Sequence, residues 1–163
     1  SKMKKECSLD EARAKAEIYC AKAERCKCEV LHKLQLWGAP MEQEENILAH
    51  LEKEGYIDEL RYAKAFVRDK YRFSQWGSMK ISQALRLKHI PDACIKKALL
   101  EINVDEYLSI LKRLLAKKKP SVKYANDYEM KGKLIRFAAG HGYEMEDILY
   151  CLKQLEVDDE YLD

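Results

Sequence analysis

Long apolar runs and the motifs of common enzymes are both missing from this 163-residue chain. The longest apolar runs span only a few residues, whereas a membrane-spanning helix needs about 20 apolar residues. The chain has no phosphate-binding glycine loop, dinucleotide fingerprint, metalloprotease helix or serine nucleophile elbow. We therefore expect a protein that is not an enzyme, uses no cofactor and does not enter a membrane.

A signal peptide and a disulfide framework are also not expected. Ser1–Glu6 is charged and lacks the apolar segment of a signal peptide, so we expect a cytoplasmic protein with reduced cysteines. Cys20, Cys26, Cys28 and His32 lie close together in the sequence, but the spacing of Cys26 and Cys28 places their thiols about 200° apart on a helix. That spacing is poor for a structural zinc site. We interpret these cysteines as buried free thiols that act as small apolar residues, with no metal.

A helix–turn–helix pattern appears three times, at residues 30–51, 81–99 and 134–152. The copies align when a three-residue insertion within Met41–Asn46 is allowed in the first. Because a repeated helical unit buries its apolar face mainly against its neighbours, the pattern predicts an elongated array with a long binding surface. The aligned positions are Val30, Ile81 and Leu134; Leu34, Leu85 and Ala138; Gly38, His89 and Gly142; and Ile47, Ile95 and Ile148.

Almost every segment has helical periodicity, and no strand alternation of useful length is present. A capping box at Ser8–Glu11 opens the first helix, and the last helix is predicted near Glu144–Leu155. The predicted fold class is all-α, an elongated array of three tandem three-helix repeats with nine helices. The predicted boundaries are 8–56, 57–102 and 103–157, followed by an acidic C-terminal tail at 158–163.

The charges are segregated along the chain although the net charge is only +2. Residues 42–60 hold seven acids and one lysine, and residues 144–163 hold eight acids and one lysine. Residues 61–97 hold ten bases and two acids, and residues 112–136 hold nine bases and two acids. A basic centre between acidic flanks indicates a polyanionic partner, or a partner with its own charge pattern.

The helix after Asp58 has an apolar stripe for the core and a row of bases beside it. Such a row is often only a solvated face, but two more basic helices follow, so we favour a contact surface. In the next loop, Tyr71, Phe73 and Trp76 could stack on the bases of a nucleic acid, although packing of these rings between helices is the favoured interpretation. The candidate partner-binding residues are Arg61, Lys64, Arg68, Arg72, Lys80, Arg86, Lys88, Lys112, Lys131, Lys133 and Arg136.

The segment Gly55–Arg68 resembles the signature of the RecX regulatory proteins of bacteria. The signature residues are Gly55, Tyr56, Ile57, Asp58 and Glu59, followed by an aromatic–alanine pair and a Phe-Val-Arg end. The resemblance continues through residues 77–90, where the family favours Glu-Leu-Arg-x-Lys-Gly-Ile. Glu59, Ala84 and His89 depart from the family pattern. His89 replaces a glycine, so we expect a slightly different turn there.

The resemblance implies a three-repeat, all-helical protein that regulates the RecA recombinase in DNA recombination, DNA repair and the SOS response. Family members bind in the groove of the RecA–DNA filament, limit filament growth, and dampen strand exchange and coprotease activity. The expected partners are therefore RecA and the RecA–DNA filament, with DNA itself as a further possible contact, and the chain is expected to be a monomer. Two alternatives stay open, a module that binds nucleic acid directly and a general helical adaptor for another protein.

Overall fold

The structure, a computed structural model, describes residues 6–162, with side chains through Glu160. The described chain forms nine α-helices, two short 3-10 helices and no strand, which confirms the predicted all-α class and helix number. The helices are α1 (Leu9–Lys22), α2 (Lys27–Trp37), α3 (Glu44–Lys53), α4 (Glu59–Arg72), α5 (Ser78–Leu87), α6 (Asp92–Leu99), α7 (Val104–Lys118), α8 (Asp127–Gly140) and α9 (Met145–Leu162).

The first compact unit comprises the described residues up to Ala65 together with Leu85–Lys97. Helices α1, α2 and α3 pack on one another around a core that includes Val30, Leu34 and Ile47, all fully buried. The predicted capping box is seen at the start of α1, where the Ser8 hydroxyl accepts a hydrogen bond from the Glu11 amide at 3.2 Å.

The second compact unit comprises Phe66–Ala84 together with the described residues from Ala98 onward. Helices α7, α8 and α9 pack on one another, and their core includes Leu111, Leu115 and Ile148, all fully buried. A row of tyrosine rings extends this core: the centroid of Tyr107 lies 6.1 Å from that of Tyr71 and 5.2 Å from that of Tyr143. Ring contacts of this kind add stability beyond the apolar area that they bury.

The turn in each of the three aligned copies has the same backbone hydrogen bonds. The amide of Gly38, His89 or Gly142 donates to the carbonyl three residues earlier, and the next amide donates to the carbonyl of a fully buried residue. The equivalent residues are left-handed in all three copies, with φ of 75° at Gly38, 60° at His89 and 95° at Gly142. The expectation of a different turn at His89 is therefore wrong, because the histidine has the left-handed conformation and the hydrogen bonds of the aligned Gly38 and Gly142. The buried carbonyl residues are Leu34, Leu85 and Ala138.

Helix α9 continues beyond the predicted end near Leu155 and reaches Leu162. Its acidic last turns are paired with lysines of other elements, a long-range contact that the local pattern does not contain. Asp163, the last residue of the predicted acidic tail, lies outside the described residues.

Candidate partner-binding surface

The Gly55–Glu59 signature builds the connection between α3 and α4. Gly55 is left-handed, with a φ of 81°, and it ends α3 in the way that a glycine at this position usually does. The carboxylate of Asp58 accepts a hydrogen bond from the Arg61 amide at 2.9 Å and so caps α4. Ile57 is buried in the core of the first unit, and burial raises the pKa of the half-buried Glu59 carboxyl. In this structure the signature therefore fixes a helix end and a helix start.

The first candidate base of α4, Arg61, is held by its own unit. Its Nε lies 2.6 Å from Oε1 of Glu24, and its Nη2 donates to the carbonyl oxygen of Gly55 at 3.0 Å. A guanidinium with two such partners must give up hydrogen bonds before it can bind another molecule. Lys64, the next candidate on α4, is half-buried.

Lys88 takes part in a polar cluster of the first unit around Glu29. The Glu29 carboxylate lies 3.5 Å from Nζ of Lys88 and accepts a hydrogen bond from the Cys26 amide at 3.0 Å. Burial raises the pKa of Glu29, but the Cys26 hydrogen bond and the Lys88 charge outweigh it, so the pKa is lowered overall. Lys88 therefore stabilises the ionised form of a carboxylate of its own unit.

Arg86, at the end of α5, is more open. Its Nε lies 3.5 Å from Oδ1 of Asp92, and the two side chains are 63% and 75% exposed. An ion pair with this exposure contributes little to stability and is easily exchanged for another partner. Of the candidates on the first unit, Arg86 is the most accessible.

Arg72 of the second unit makes a two-pronged contact with Glu106. Its Nε and Nη2 lie 2.6 Å and 3.4 Å from the two carboxylate oxygens. Arg68, one helical turn earlier, has only a 3.8 Å approach to Asp69, its exposed neighbour. The two arginines therefore differ in availability although the sequence pattern treats them alike.

The aromatic loop of the second unit is mostly packed. Tyr71 is buried, and the Trp76 ring meets the Phe66 ring edge-on at 6.4 Å between centroids. Nζ of Lys80 lies 4.6 Å from the centre of the Trp76 ring, a cation–π contact, and the ammonium forms no ion pair with a carboxylate that the structure describes. The packing interpretation holds for Tyr71 and Trp76, whereas Phe73 is 80% exposed.

The candidate bases from α7 and α8 nearly all have carboxylate partners. Nζ of Lys112 lies 2.5 Å from Asp158, that of Lys131 lies 2.5 Å from Glu156, and that of Lys133 lies 3.1 Å from Glu129. Arg136 differs: it forms no ion pair with any side chain that the structure describes.

A groove of about 580 Å³ lies beside α8. Tyr128, Ile135 and Arg136 line it together with Lys131, and the Tyr128 side chain is 88% exposed. An exposed ring beside an arginine that forms no ion pair among the described side chains is a combination that single-stranded nucleic acids can use.

The cysteines interpreted as free thiols are mainly in the interior. Cys20 and Cys26 are buried and Cys28 is half-buried, and burial raises the pKa of the Cys26 thiol to about 11. Among the described residues no cluster of histidine, cysteine or acidic side chains has the arrangement of a metal site. None of the described helices is long and apolar enough to cross a membrane.

Sequence reasoning missed the acids that neutralise the candidate bases, and it missed Lys119, which lies 3.1 Å from Asp159. The partners of Arg72, Arg61 and Lys119 are 34, 37 and 40 residues away along the chain. Charge counting within a segment cannot detect pairs over such separations. The only available signal was the excess of acids on either side of the basic centre.

Two family models match the chain. Residues 58–99 match the second three-helix domain of RecX, and residues 105–152 match the third. These segments contain α4, α5, α6 and α8, all of α7 except Val104, and the first part of α9 up to Leu152.

The curated relatives that match this chain are also RecX proteins. The regulatory protein RecX of Vibrio vulnificus is 30% identical over 76% of this chain and 79% of its own length, and that of Vibrio campbellii is 32% identical over 76% and 78%. The match to the RecX protein of Thermus thermophilus, also 30% identical, spans 62% of this chain and 62% of that relative.

Solved structures agree on the fold. A crystal structure of RecX from Lactobacillus salivarius superposes with a TM-score of 0.82 at 20% identity, covering 91% of this chain and 96% of the other. Another RecX crystal structure gives a TM-score of 0.78 at 23% identity, covering 88% of this chain and 74% of the other. Together with the family models and the curated relatives, this agreement shows that the chain belongs to the RecX family of regulatory proteins.

Proposed function

We propose that this chain is a non-enzymatic regulator that binds the RecA recombinase assembled on DNA. It limits growth of the filament and thereby dampens strand exchange and coprotease activity. The observation that carries this proposal is the match of two consecutive RecX three-helix domains to residues 58–99 and 105–152. Modulation of RecA is the role of that family.

The charges of the structure support a ranking of the proposed contact residues. Cations without a close carboxylate can bind a partner without first losing an internal ion pair. On the second unit, Lys80 and Arg136 form no ion pair with a described side chain, and Arg68 has only the 3.8 Å approach to Asp69. On the first unit the weakly paired Arg86 comes closest. The remaining candidates other than Lys64 contribute less, because each is paired with a carboxylate of its own unit.

RecA ATPase activity on single-stranded DNA tests the proposal. An equimolar amount of this chain is expected to inhibit the steady-state rate, because fewer RecA protomers remain in active filament. An unchanged rate, together with unchanged filament length, would overturn the proposal.

A pair of charge reversals tests the ranking. Arg68→Glu with Lys80→Glu should weaken the inhibition about tenfold, because like charges then face the polyanionic filament. Arg113→Glu with Lys117→Glu is the matched control, since it changes the same residue types on exposed positions of α7 in the same unit. The control should cost less than about twofold in inhibition. Equal losses in the two variants would mean that only net charge matters.

Direct binding of nucleic acid is the second candidate function, and the groove beside α8 favours it. Tyr128 offers an exposed ring, and Arg136 offers a guanidinium without a carboxylate partner among the described residues. This candidate predicts binding to a single-stranded oligonucleotide without RecA, with an affinity that falls steeply as salt rises. No binding at low salt would exclude it.

A further inference from the structure

Three lysines from three different elements meet carboxylates on the last turns of α9. Lys112 of α7 contacts Asp158, and Lys131 of α8 contacts Glu156, each at 2.5 Å. Lys119, in the short 3-10 helix Lys119–Ser121, contacts Asp159 at 3.1 Å. All of these residues belong to the second unit. We call residues 156–160 the acidic end of α9.

The acidic end of α9 is attached by charge rather than by apolar packing. Among the side chains of this helix that the structure describes, through Glu160, the last buried ones are Cys151 and Leu152, whereas every residue from Glu156 to Glu160 is exposed. Ion pairs between exposed side chains are individually weak and are screened by salt. The contact can therefore be broken without disturbing the core of the unit.

The geometry of a helix places the three carboxylates on two sides of α9. Successive residues are rotated by about 100°, so Glu156, Asp159 and Asp158 span an arc of about 160°. The acidic end consequently neutralises lysines on either side of itself. Each of the three ammonium groups contacts a carboxylate, so each is placed to bind an oxyanion.

The surroundings of Lys131 indicate which polyanion fits. Tyr128 precedes Lys131 by three residues on α8, so the ring and the ammonium lie on neighbouring positions of the helix surface. Both residues line the groove beside α8, together with Ile135, Arg136 and one acid, Glu129, which is paired with Lys133. Rings for base stacking beside cations for phosphate are typical of single-strand binding proteins, whereas an acidic protein surface offers nothing to stack on the ring.

We infer that Lys112, Lys119 and Lys131, with the groove beside α8, form a docking surface for single-stranded DNA, and that the acidic end of α9 occupies its lysines in the free chain. The carboxylates act as an internal competitor, so DNA must displace them to bind. This inference rests on the DNA-binding part of the proposed function. It does not depend on RecA contact, and its test contains no RecA.

Fluorescence anisotropy with a labelled oligo-dT tests the competition on the full chain. The variant Glu156→Gln, Asp158→Asn, Asp159→Asn should bind about tenfold more tightly at low ionic strength, because the lysines no longer have an internal partner. The matched control is Glu42→Gln, Glu45→Gln, Glu54→Gln, which changes the net charge equally at exposed acids of the first unit. The affinity of this control for oligo-dT should rise about twofold at most, from net charge alone. Equal gains in the two variants would overturn the inference.

Hydrogen exchange on the unaltered chain provides a second readout that does not depend on folding of a variant. Saturating oligo-dT at low salt should speed exchange of the amides in 156–162 several-fold, while those in 145–152 stay protected. Protection of 156–162 by oligo-dT, or no binding of oligo-dT at all, would contradict an internal competitor.

A third comparison decides between DNA and an acidic protein. The triple variant of the acidic end should bind poly-glutamate much more weakly than oligo-dT at equal charge concentration, because the polypeptide gains nothing from the Tyr128 ring. Equal binding of the two polymers would overturn the assignment to DNA.

Discussion

The turn at Gly142 in the third copy and the turn at His89 in the second have the same backbone but different surroundings. Both residues are left-handed and make equivalent hydrogen bonds. Gly142 is buried, and a Cβ added to it would lie 2.3 Å from Cβ of Lys80, whereas His89 is exposed. The repeat position thus determines the conformation of the turn, while the local packing determines which side chain is allowed.

The two turns are also held by different chemistry. In the second unit, the Gly77 amide donates to the His141 carbonyl at 2.8 Å, and the Met79 amide donates to the Gly142 carbonyl at 3.0 Å. Next to the His89 turn of the first unit, Lys88 instead reaches the Glu29 carboxylate. One turn is held by direct backbone contact and the other by a side-chain ion pair, so they should respond differently to mutation and to pH.

The largest effect is expected from Gly77→Ala in the backbone contact. A Cβ at Gly77 would lie 2.3 Å from the carbonyl carbon of Gly142, and neither backbone segment can move without breaking hydrogen bonds. We expect a loss of about 3 kcal/mol or more in the free energy of unfolding, measured by urea denaturation.

The matched control is Gly140→Ala, at the end of α8. A Cβ there meets no atom within 4 Å. This substitution should leave stability unchanged or raise it by up to about 1 kcal/mol through helix propensity. If both variants lost the same stability, the close contact between Gly77 and Gly142 would be refuted.

The next effect is expected from Tyr107→Phe in the same region. The Ser78 amide at the start of α5 donates to the Tyr107 hydroxyl at 2.9 Å, and Tyr107 is buried. Loss of the hydroxyl leaves the amide without its acceptor and should cost about 1–2 kcal/mol in unfolding free energy. Tyr150→Phe, which removes an exposed hydroxyl, should change the urea midpoint very little. If the urea midpoint of Tyr107→Phe were as close to that of the parent as the midpoint of Tyr150→Phe is, this hydrogen bond would be refuted.

A smaller and pH-dependent effect is expected from Glu29→Gln near the other turn. The pKa of Glu29 is lowered in the folded chain, so its carboxylate stabilises the fold above its unfolded value of about 4.3. This stabilisation is lost as pH falls through the lower folded value. With allowance for partial exposure, Glu29→Gln should cost about 1 kcal/mol at pH 7 and progressively less below pH 4.

Urea denaturation of parent and variant between pH 7 and pH 3 measures this difference. Glu54→Gln, at an exposed acid of the same unit, is the control and should show no such pH dependence. A cost for Glu29→Gln that stayed constant down to pH 3 would mean that the charge of Glu29 is not what stabilises this region.

The smallest effect, and a favourable one, is expected from His89→Gly. A side chain in the left-handed region is strained by about 1–2 kcal/mol, and glycine relieves that strain at some cost in chain entropy. The net gain should be about 0.5–1 kcal/mol in thermal or urea unfolding. A loss of stability would instead show that the His89 side chain makes a contact that the fold needs.

The sequence was sufficient for the local part of this fold, because helix periodicity and turn residues are short-range signals. The aligned Leu34, Leu85 and Ala138 are all fully buried. Contacts between distant segments could not be read in the same way. The approach of Gly77 to Gly142 and the pairing of Arg72 with Glu106 have no periodic pattern, and they depend on how whole helices pack.

The candidate contact residues show the same limit. Charge counting found the basic segments, but it could not separate Arg68 from Arg72, one with a 3.8 Å approach to its neighbour and the other with a two-pronged carboxylate contact. It also treated the acidic end of α9 as a flank rather than as the partner of three lysines.

The length of RecA filaments on single-stranded DNA tests the central claim most directly. Filaments are grown with and without an equimolar amount of this chain and measured by electron microscopy. The proposed function predicts markedly shorter filaments with the parent chain and nearly normal filaments with the Arg68→Glu, Lys80→Glu variant. Filaments of unchanged length in the presence of the folded parent chain would contradict it.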